Sequence, residues 1–330
     1  MANAYFTISK PTNDPFLGYM PGSSEREELK AELERQSNQI VKIPLIIGGQ
    51  AIYTDKTIKV TMPHDHSHVI AECCIAGEKE LKMAVDSALA AKEEWESMPW
   101  EHRSAIFLKA ADHITNSYRP VLNASTMLGQ SKTVFQAEID IAELADFLRF
   151  GVWSAQEIFK DQPSSSAGIW NRQDYRPLDG FICAITPFNF TSIGGNLATA
   201  PAIMGNVAVW KPSRTAVLSN YYYMKLLMWC GLPAGVINFV PCTGSDMSQY
   251  VVSHPKMAGF HFTGSTAVFQ NVWKQVGENI ASYANYPRLV GETGGKDFIF
   301  AHSSADIEPL ATAIVRGSFE YQGQKCSACS

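Results

Sequence analysis

The residues able to do covalent chemistry gather near the end of the chain. Cys326 and Cys329 form a C-x-x-C pair within Gly323-Gln324-Lys325-Cys326-Ser327-Ala328-Cys329. A zinc site needs four ligands, and no second C-x-x-C exists to supply them. A dithiol couple belongs in a thioredoxin-like setting that is absent. Two readings stay open at this point: a nucleophilic Cys326 thiolate with Cys329 packed beside it, and a small buried hydrophobe. Glu292 precedes a Gly-Gly turn in Leu289-Val290-Gly291-Glu292-Thr293-Gly294-Gly295-Lys296. Glycines let a substrate come close to a general base; the plain alternative is a loop carboxylate near Lys296. Asn189, in Pro187-Phe188-Asn189-Phe190, offers an amide donor suited to an oxyanion hole or to a helix cap.

Two further turns suit a nucleotide. Phe262-Thr263-Gly264-Ser265-Thr266 brings a glycine and hydroxyls to the start of a helix, where backbone N–H groups and the helix dipole can meet a diphosphate. An ordinary cap by Ser265 or Thr266 explains the same residues. No G-x-G-x-x-G and no Walker sequence accompanies it. Lys211-Pro212-Ser213 can present an ammonium and a hydroxyl to a ribose; alone, Lys211 reads as a solvated charge. His64, His66 and His68 would share one face of a strand and so could hold a metal, but the expectation is a solvated turn and no metal.

The elements that position these residues fall into two stretches. Ser23-Ser24 and the acidic residues after it predict a helix to about Arg35, and Ile43 to Thr61 is β-like, ending at Pro63. Helical periodicity covers Met83–Met98, His102–Tyr118 and Val134 to about Phe159, and residues 161–179 read as loop. From Gly180 the pattern alternates. Strands are expected at Phe181–Thr186, Val207–Trp210, Val236–Val240 and Gly259–Phe262, and helices at Ser192–Met204, Ala216–Cys230, Asp246–Val252 and Ala267–Ile280. Short apolar strands alternating with helices predict an α/β fold with a parallel sheet covered by helices. Ligands of such sheets sit beyond the carboxyl ends of the strands, where the four turns lie.

Bulk composition narrows the function classes. The chain has 330 residues, 46% apolar and 18% charged, which is globular composition. Its 27 basic and 32 acidic residues leave a net charge of −5, with no basic field for nucleic acid. No apolar run approaches the roughly 18 residues that span a bilayer, so no membrane partner is expected. The first residues lack the apolar core of a secretory leader, and no Arg precedes Arg26. Seven scattered cysteines favour a reducing compartment.

Taken in order, Asn189, Lys211, Gly264-Ser265, Glu292 and Cys326 resemble the aldehyde dehydrogenase superfamily, through P-F-N-F, W-K-P-S, F-T-G-S, E-T-G-G-K and G-Q-K-C. The spacing of 34 residues from Glu292 to Cys326 matches that family. Within it the chain is most similar to the 1-pyrroline-5-carboxylate (L-glutamate γ-semialdehyde) dehydrogenases, through LGQSKTVFQAEID, ITPFNFTSIGGNLATAPAIMGNVAVWKPS, PRLVGETGGKDF and FEYQGQKCSACS among other stretches covering nearly the whole chain.

The resemblance implies a Rossmann-type sheet with helices on both faces, NAD as cofactor, and oxidation of glutamate γ-semialdehyde to glutamate in proline breakdown. It makes Cys326 the nucleophile, Asn189 and the Cys326 N–H the oxyanion donors, and Glu292 the base for thioester hydrolysis. Lys211 and Ser213 then approach the adenosine ribose, and Gly264 and Ser265 the pyrophosphate, with Pro187 and Phe188 beside them. Ser327 is expected to bind the substrate carboxylate, Phe190 its aliphatic part, and Glu143, with Glu138 competing, its amine. Residues 1–290 correspond to the NAD-binding domain, with 161–180 contributing to an oligomerisation hairpin of a homo-oligomer, and 291–330 to the start of the catalytic domain. Phe269 departs from the superfamily, where a second Gly is common, though the nearest subfamily shares a bulky residue there. Arg214 stands where many NAD-using members carry Glu, which leaves NADP possible. Relatives continue well past the nucleophile, so the expectation is an incomplete catalytic domain in a truncated chain, poorly stable and inactive alone; the alternative is a non-catalytic truncated paralogue that binds NAD or a full-length subunit. Eukaryotic relatives are mitochondrial, so the cytoplasm is expected, or the mitochondrial matrix in a eukaryote.

Overall fold

The computed structural model describes residues 6–295 and 297–329. Helix α1 (Ser24–Ser37) is followed by five strands: β1 (Val41–Ile43), β2 (Leu45–Ile47), β3 (Gln50–Ile52), β4 (Thr57–Met62) and β5 (Asp65–Cys74). The β-like stretch therefore continues beyond Pro63. Pro63 and His64 form the turn between β4 and β5, and pairing with β4 holds the polar Asp65-His66-Ser67-His68 run as a strand. His66 and His68 thus lie in a strand, where a solvated turn was expected. Four helices come next: α2 (Glu78–Ser97), α3 (Trp100–Thr115), α4 (Arg119–Gln130) and α5 (Val134–Lys160). Sequence periodicity did not single out α4. It opens on Arg119-Pro120 and carries Gly129 near its end, two residues that read as breakers.

The alternation from Gly180 is present, in the order β6 (Phe181–Ile185), α6 (Thr191–Ile203), β7 (Val207–Lys211), α7 (Val217–Cys230), β8 (Ile237–Phe239), α8 (Gly244–Met247), β9 (Met257–Thr263) and α9 (Thr266–Glu278). The helix expected over Asp246–Val252 is instead the short α8 continued by a π-helical turn over residues 248–252. Two more elements follow, β10 (Arg288–Glu292) and α10 (Ile307–Phe319).

Seven strands form one sheet in the order β10-β9-β6-β7-β8-β2-β3. The five from β10 to β8 are parallel. The expected parallel sheet is extended by an antiparallel pair, β2 on β8 and β3 on β2. Gly48 and Gly49, both at positive φ, close the two-residue β2–β3 turn, which such turns require. A separate sheet, β1-β5-β4, lies outside this one.

The sheet is thickest at its centre. Strands β6 and β7 are buried residue after residue up to their last position, so both faces are covered, and α2 and α6 pack against them. Trp210 of β7 is 0% exposed, with Tyr223 and Phe239 edge-on at 6.4 and 5.1 Å. The chain winds from β6 through β7 to β8, then returns to lay β9 on the other side of β6. That reversal opens a crevice at the carboxyl ends of β6 and β9.

The edges are thinner. Strand β10 continues the sheet across the boundary expected at 290/291, and α10 has no buried residue. Segment 161–180 is irregular apart from one bridge, Ser166 to Ile169, in keeping with the loop reading of 161–179.

Candidate active site

The crevice at the strand reversal is a cleft of about 460 Å³. Each wall comes from a turn after a parallel strand. Ile185 ends β6 and Thr186 to Phe188 follow it, Lys211 ends β7 and Ser213 lies just beyond, and Thr263 ends β9 with Gly264 and Ser265 after it. Helix α9 adds one face, with Val268, Val272 and Gln275 at helical spacing. Pro187, Phe188, Lys211, Ser213, Gly264 and Ser265 therefore all line one site. The two readings of the Gly264 turn are compatible: the Ser265 hydroxyl caps α9, accepting from the Val268 N–H at 3.4 Å, and also lines the cleft. Lys211 is not a freely solvated charge; burial pulls its ammonium below its ordinary value. A half-buried ammonium, the Ser213 hydroxyl and a helix N-terminus beside a glycine form a donor set suited to ribose and diphosphate, so the residues present fit a dinucleotide.

The thiol site adjoins this cleft. Strand β10 ends at Glu292, whose carbonyl accepts from the Gly264 N–H at 3.1 Å. The Cys326 thiol is solvent-exposed and its proton is held by three influences. Partial burial, the Glu292 charge and a hydrogen bond to Glu292 push its pKa up, while the backbone N–H groups of Ser327 and Cys326 oppose them. Gly295 comes close as well: a Cβ on it would lie 3.7 Å from the Cys326 carbonyl oxygen. Lys296, the lysine of the plainer reading of Glu292, lies outside the described residues.

Asn189 is buried, and its Nδ2 donates to the Gln324 carbonyl at 2.7 Å, two residues before Cys326. Phe190, not Asn189, is the N-cap residue of α6, which removes the capping reading of Asn189. An amide nitrogen has two N–H groups, so one remains beside the thiol segment. Ser327 is exposed next to Cys326. Cys329 turns to α10: its N–H donates to the Gly317 carbonyl at 3.0 Å, and a Cβ on Gly317 would meet its Sγ at 2.9 Å. The two cysteines therefore do different work.

The substrate-side carboxylates separate. Glu138 is buried in an ion pair with Arg119 and accepts from the Tyr19 hydroxyl at 2.7 Å, which takes it out of contention for the amine. Glu143 accepts from Ser192 Oγ at 2.8 Å and opens on a cavity of about 670 Å³ with Phe16, Asp146, Phe147 and Phe150. Burial pushes its carboxyl pKa up. Phe190 is buried, with its ring against Tyr321.

Sequence reasoning missed the residues that hold the Asn189 turn. Gln130, at the end of α4, donates to the Phe188 carbonyl at 2.7 Å. The Asp140 carboxylate takes the Thr191 and Ser192 N–H groups at 2.9 and 2.8 Å, satisfying the start of α6. The Lys132 ammonium pairs with Asp140. Their only sequence signal is the LGQSKTVFQAEID stretch, which carried similarity but no chemistry of its own.

His64 contacts Ser131 Oγ at 2.8 Å and His68 the Ser37 carbonyl at 2.7 Å, and among the described residues no His, Cys, Asp and Glu side chains gather as a ligand set.

Comparison with known proteins places this geometry. The aldehyde dehydrogenase family profile matches residues 52–330. The chain is 50% identical over 327 residues to the mitochondrial Δ1-pyrroline-5-carboxylate dehydrogenase of Dictyostelium discoideum, covering 98% of this chain and 59% of that protein. The Mycobacterium tuberculosis Δ-pyrroline-5-carboxylate dehydrogenase, solved with bound NAD, superposes with a TM-score of 0.98 at 50% identity, covering all of this chain and 62% of that one. The Thermus 1-pyrroline-5-carboxylate dehydrogenase, also with bound NAD, gives 0.92 at 29% identity, covering 98% of this chain and 63% of that one. The chain thus spans about three-fifths of the length of the relatives it matches.

Proposed function

Because this chain belongs to the aldehyde dehydrogenase family, we propose that it carries the dinucleotide site and the nucleophile of an NAD-dependent 1-pyrroline-5-carboxylate dehydrogenase, which oxidises glutamate γ-semialdehyde to glutamate. The observation that carries this reading is the convergence of Asn189, Glu292 and Cys326 beside one cleft.

The Cys326 thiol first gives up its proton to solvent; as thiolate it attacks the aldehyde carbon, forming a C–S bond while the carbonyl π pair moves onto oxygen and leaves an oxyanion. The free N–H of the Asn189 amide and the Cys326 backbone N–H hold that oxyanion. Bound NAD supplies the hydride acceptor for the oxidation. Glu292, whose charge acts on the sulfur, then takes a proton from the water that hydrolyses the thioester. Lys211 and Ser213 hold the adenosine ribose, and Gly264 and Ser265 receive the diphosphate, with Pro187 and Phe188 forming the adjoining wall. Arg214, exposed just beyond Ser213, leaves room for a 2′-phosphate, so NADP is the second candidate.

Glutamate γ-semialdehyde carries an amine and a carboxylate besides its aldehyde. Glu143 meets the amine, Ser327 the carboxylate and the edge of Phe190 the aliphatic part. Residues 1–290, extended by the end of β10, act as the dinucleotide domain, and the residues after it begin the catalytic domain. The 161–180 segment, with Trp170 91% exposed, contributes to a homo-oligomer. Among the described residues no helix is long and apolar enough to cross a membrane. The cytoplasm is the proposed location, or the mitochondrial matrix in a eukaryote.

The test uses the 330-residue chain. NAD is titrated by calorimetry, and Cys326 alkylation by iodoacetamide is followed by peptide mass with and without the semialdehyde. Saturable NAD binding together with protection of Cys326 is the expected result. A chain that neither binds NAD nor shields Cys326 overturns the reading.

A further inference from the structure

Asn189 and Cys326 stand far apart in the chain, yet one buried ammonium touches the support of both. Lys132 follows Ser131, the left-handed residue that ends α4. Its Nζ pairs with Asp140, and neither side chain has solvent exposure. The same Nζ lies 4.5 Å from the Phe190 ring centroid and 5.0 Å from that of Tyr321. Those two rings meet edge to face at 5.7 Å. On one side, Phe190 adjoins Asn189, and the Asp140 carboxylate takes the two N–H groups that follow it. On the other side, Tyr321 opens a run of three residues at positive φ: 52° at Tyr321, 51° at Gln322 and 69° at Gly323.

That run is the approach to Cys326. Left-handed backbone is strained for tyrosine and glutamine, and it persists where the surroundings over-determine it. Here the surroundings are the buried Tyr321 ring, its hydroxyl 3.5 Å from the Gln130 carbonyl, and the Asn189 bond to Gln324. A buried ion pair adds little net stability over an apolar pair, but it demands one arrangement of its neighbours.

We propose that Lys132 is a positioning residue: held by Asp140 beneath Phe190 and Tyr321, it locks the turn carrying Asn189 to the left-handed turn that presents Cys326. This rests on the reading of Asn189 and Cys326 as one reaction centre. Lys132 faces Asp140 and Glu143 from α5 and Lys325 from the thiol segment, while the Cys326 sulfur faces Glu292 from β10. Releasing the turn therefore moves the sulfur away from Glu292 and from the walls that desolvate it.

The test compares Lys132→Met, Lys132→Arg and Tyr321→Leu with the unaltered chain, following Cys326 alkylation across pH by peptide mass. In Lys132→Met the midpoint falls, and the neutral-pH rate rises about threefold, the gain in thiolate from a half-unit fall. Lys132→Arg, which keeps the charge, restores most of the original profile. Tyr321→Leu breaks the ring contact without leaving Asp140 unpaired; it gives the same shift and keeps the test alive if Lys132→Met does not fold. An unchanged profile in Tyr321→Leu, or a Lys132→Arg profile as altered as that of Lys132→Met, overturns the proposal. Failure of the dehydrogenase reading looks different: the semialdehyde then gives Cys326 no protection in the unaltered chain, whatever the variants do.

Discussion

The two ends of the proposed catalytic constellation sit in unlike surroundings. Asn189 hangs from a sheet whose central strands are buried on both faces, whereas Glu292 and Cys326 belong to a stretch with almost no cover. Helix α10 is amphipathic in sequence but has no buried residue, and Phe300 is 89% exposed while Trp210 is 0% exposed. Both stretches carry apolar residues at the right spacing. The lesson is that periodicity selects an element, while stability comes from what lies across from its apolar face. The region around Cys326 is held instead by a few specific ties: Gly264 to Glu292, Asn189 to Gln324, Cys329 to Gly317 and the Tyr321 ring.

The sharpest contrast is between two aromatic truncations. Trp210→Ala should destabilise the chain by about 3–5 kcal/mol, by loss of burial and a residual cavity. Phe300→Ala should change stability by less than about 0.5 kcal/mol, as at an ordinary surface position. Denaturant unfolding of the two variants measures both, and comparable losses would erase the distinction between the regions. Amide exchange gives the next effect. Amides of β6 and β7 should exchange only on global opening, and those of α10 about 100-fold sooner or more, as expected for local opening of a segment without buried contacts. Exchange of α10 at the rate of β7 would mean that the C-terminal region folds as one unit with the sheet.

Nucleotide binding should follow the covered region alone. Lys211→Met removes a charge-assisted contact and should weaken NAD about tenfold by calorimetry, while Phe300→Ala leaves the affinity unchanged. The smallest effect concerns the thiol. Partial burial and, after it, the Glu292 carboxylate disfavour a thiolate, so Cys326 titrates above its ordinary value. Glu292→Gln removes that charge, the alkylation midpoint falls, and the rate at neutral pH rises about threefold with the larger thiolate fraction. A midpoint that rises would place the control of Cys326 elsewhere.

Much of the covered region was legible in the sequence. The strands at Phe181, Val207 and Gly259 and the helices between them are short-range patterns, and each ends in a turn whose residue types announce a ligand. The strand past Pro63 was less legible because Asp65-His66-Ser67-His68 is polar, and only pairing with β4 makes it a strand. Helix α4 hid behind Pro120 and Gly129. Sequence favours Glu143 with Glu138 still competing, because the register of α5 does not separate them; their surroundings decide which one meets Arg119 and which opens on a cavity.

By itself the sequence determined the chemistry available: a thiol, a carboxylate and an amide at fixed intervals, and an alternating α/β pattern with ligand-type turns. Side-chain identity and local periodicity are written in the order of residues, so they can be read there. The tertiary structure alone decided that Lys132 and Asp140 sit without water beneath Phe190 and Tyr321, and that Glu292 meets Cys326. Burial and long-range contact set those relations, since a group's charge state and aim depend on neighbours that arrive from distant parts of the chain.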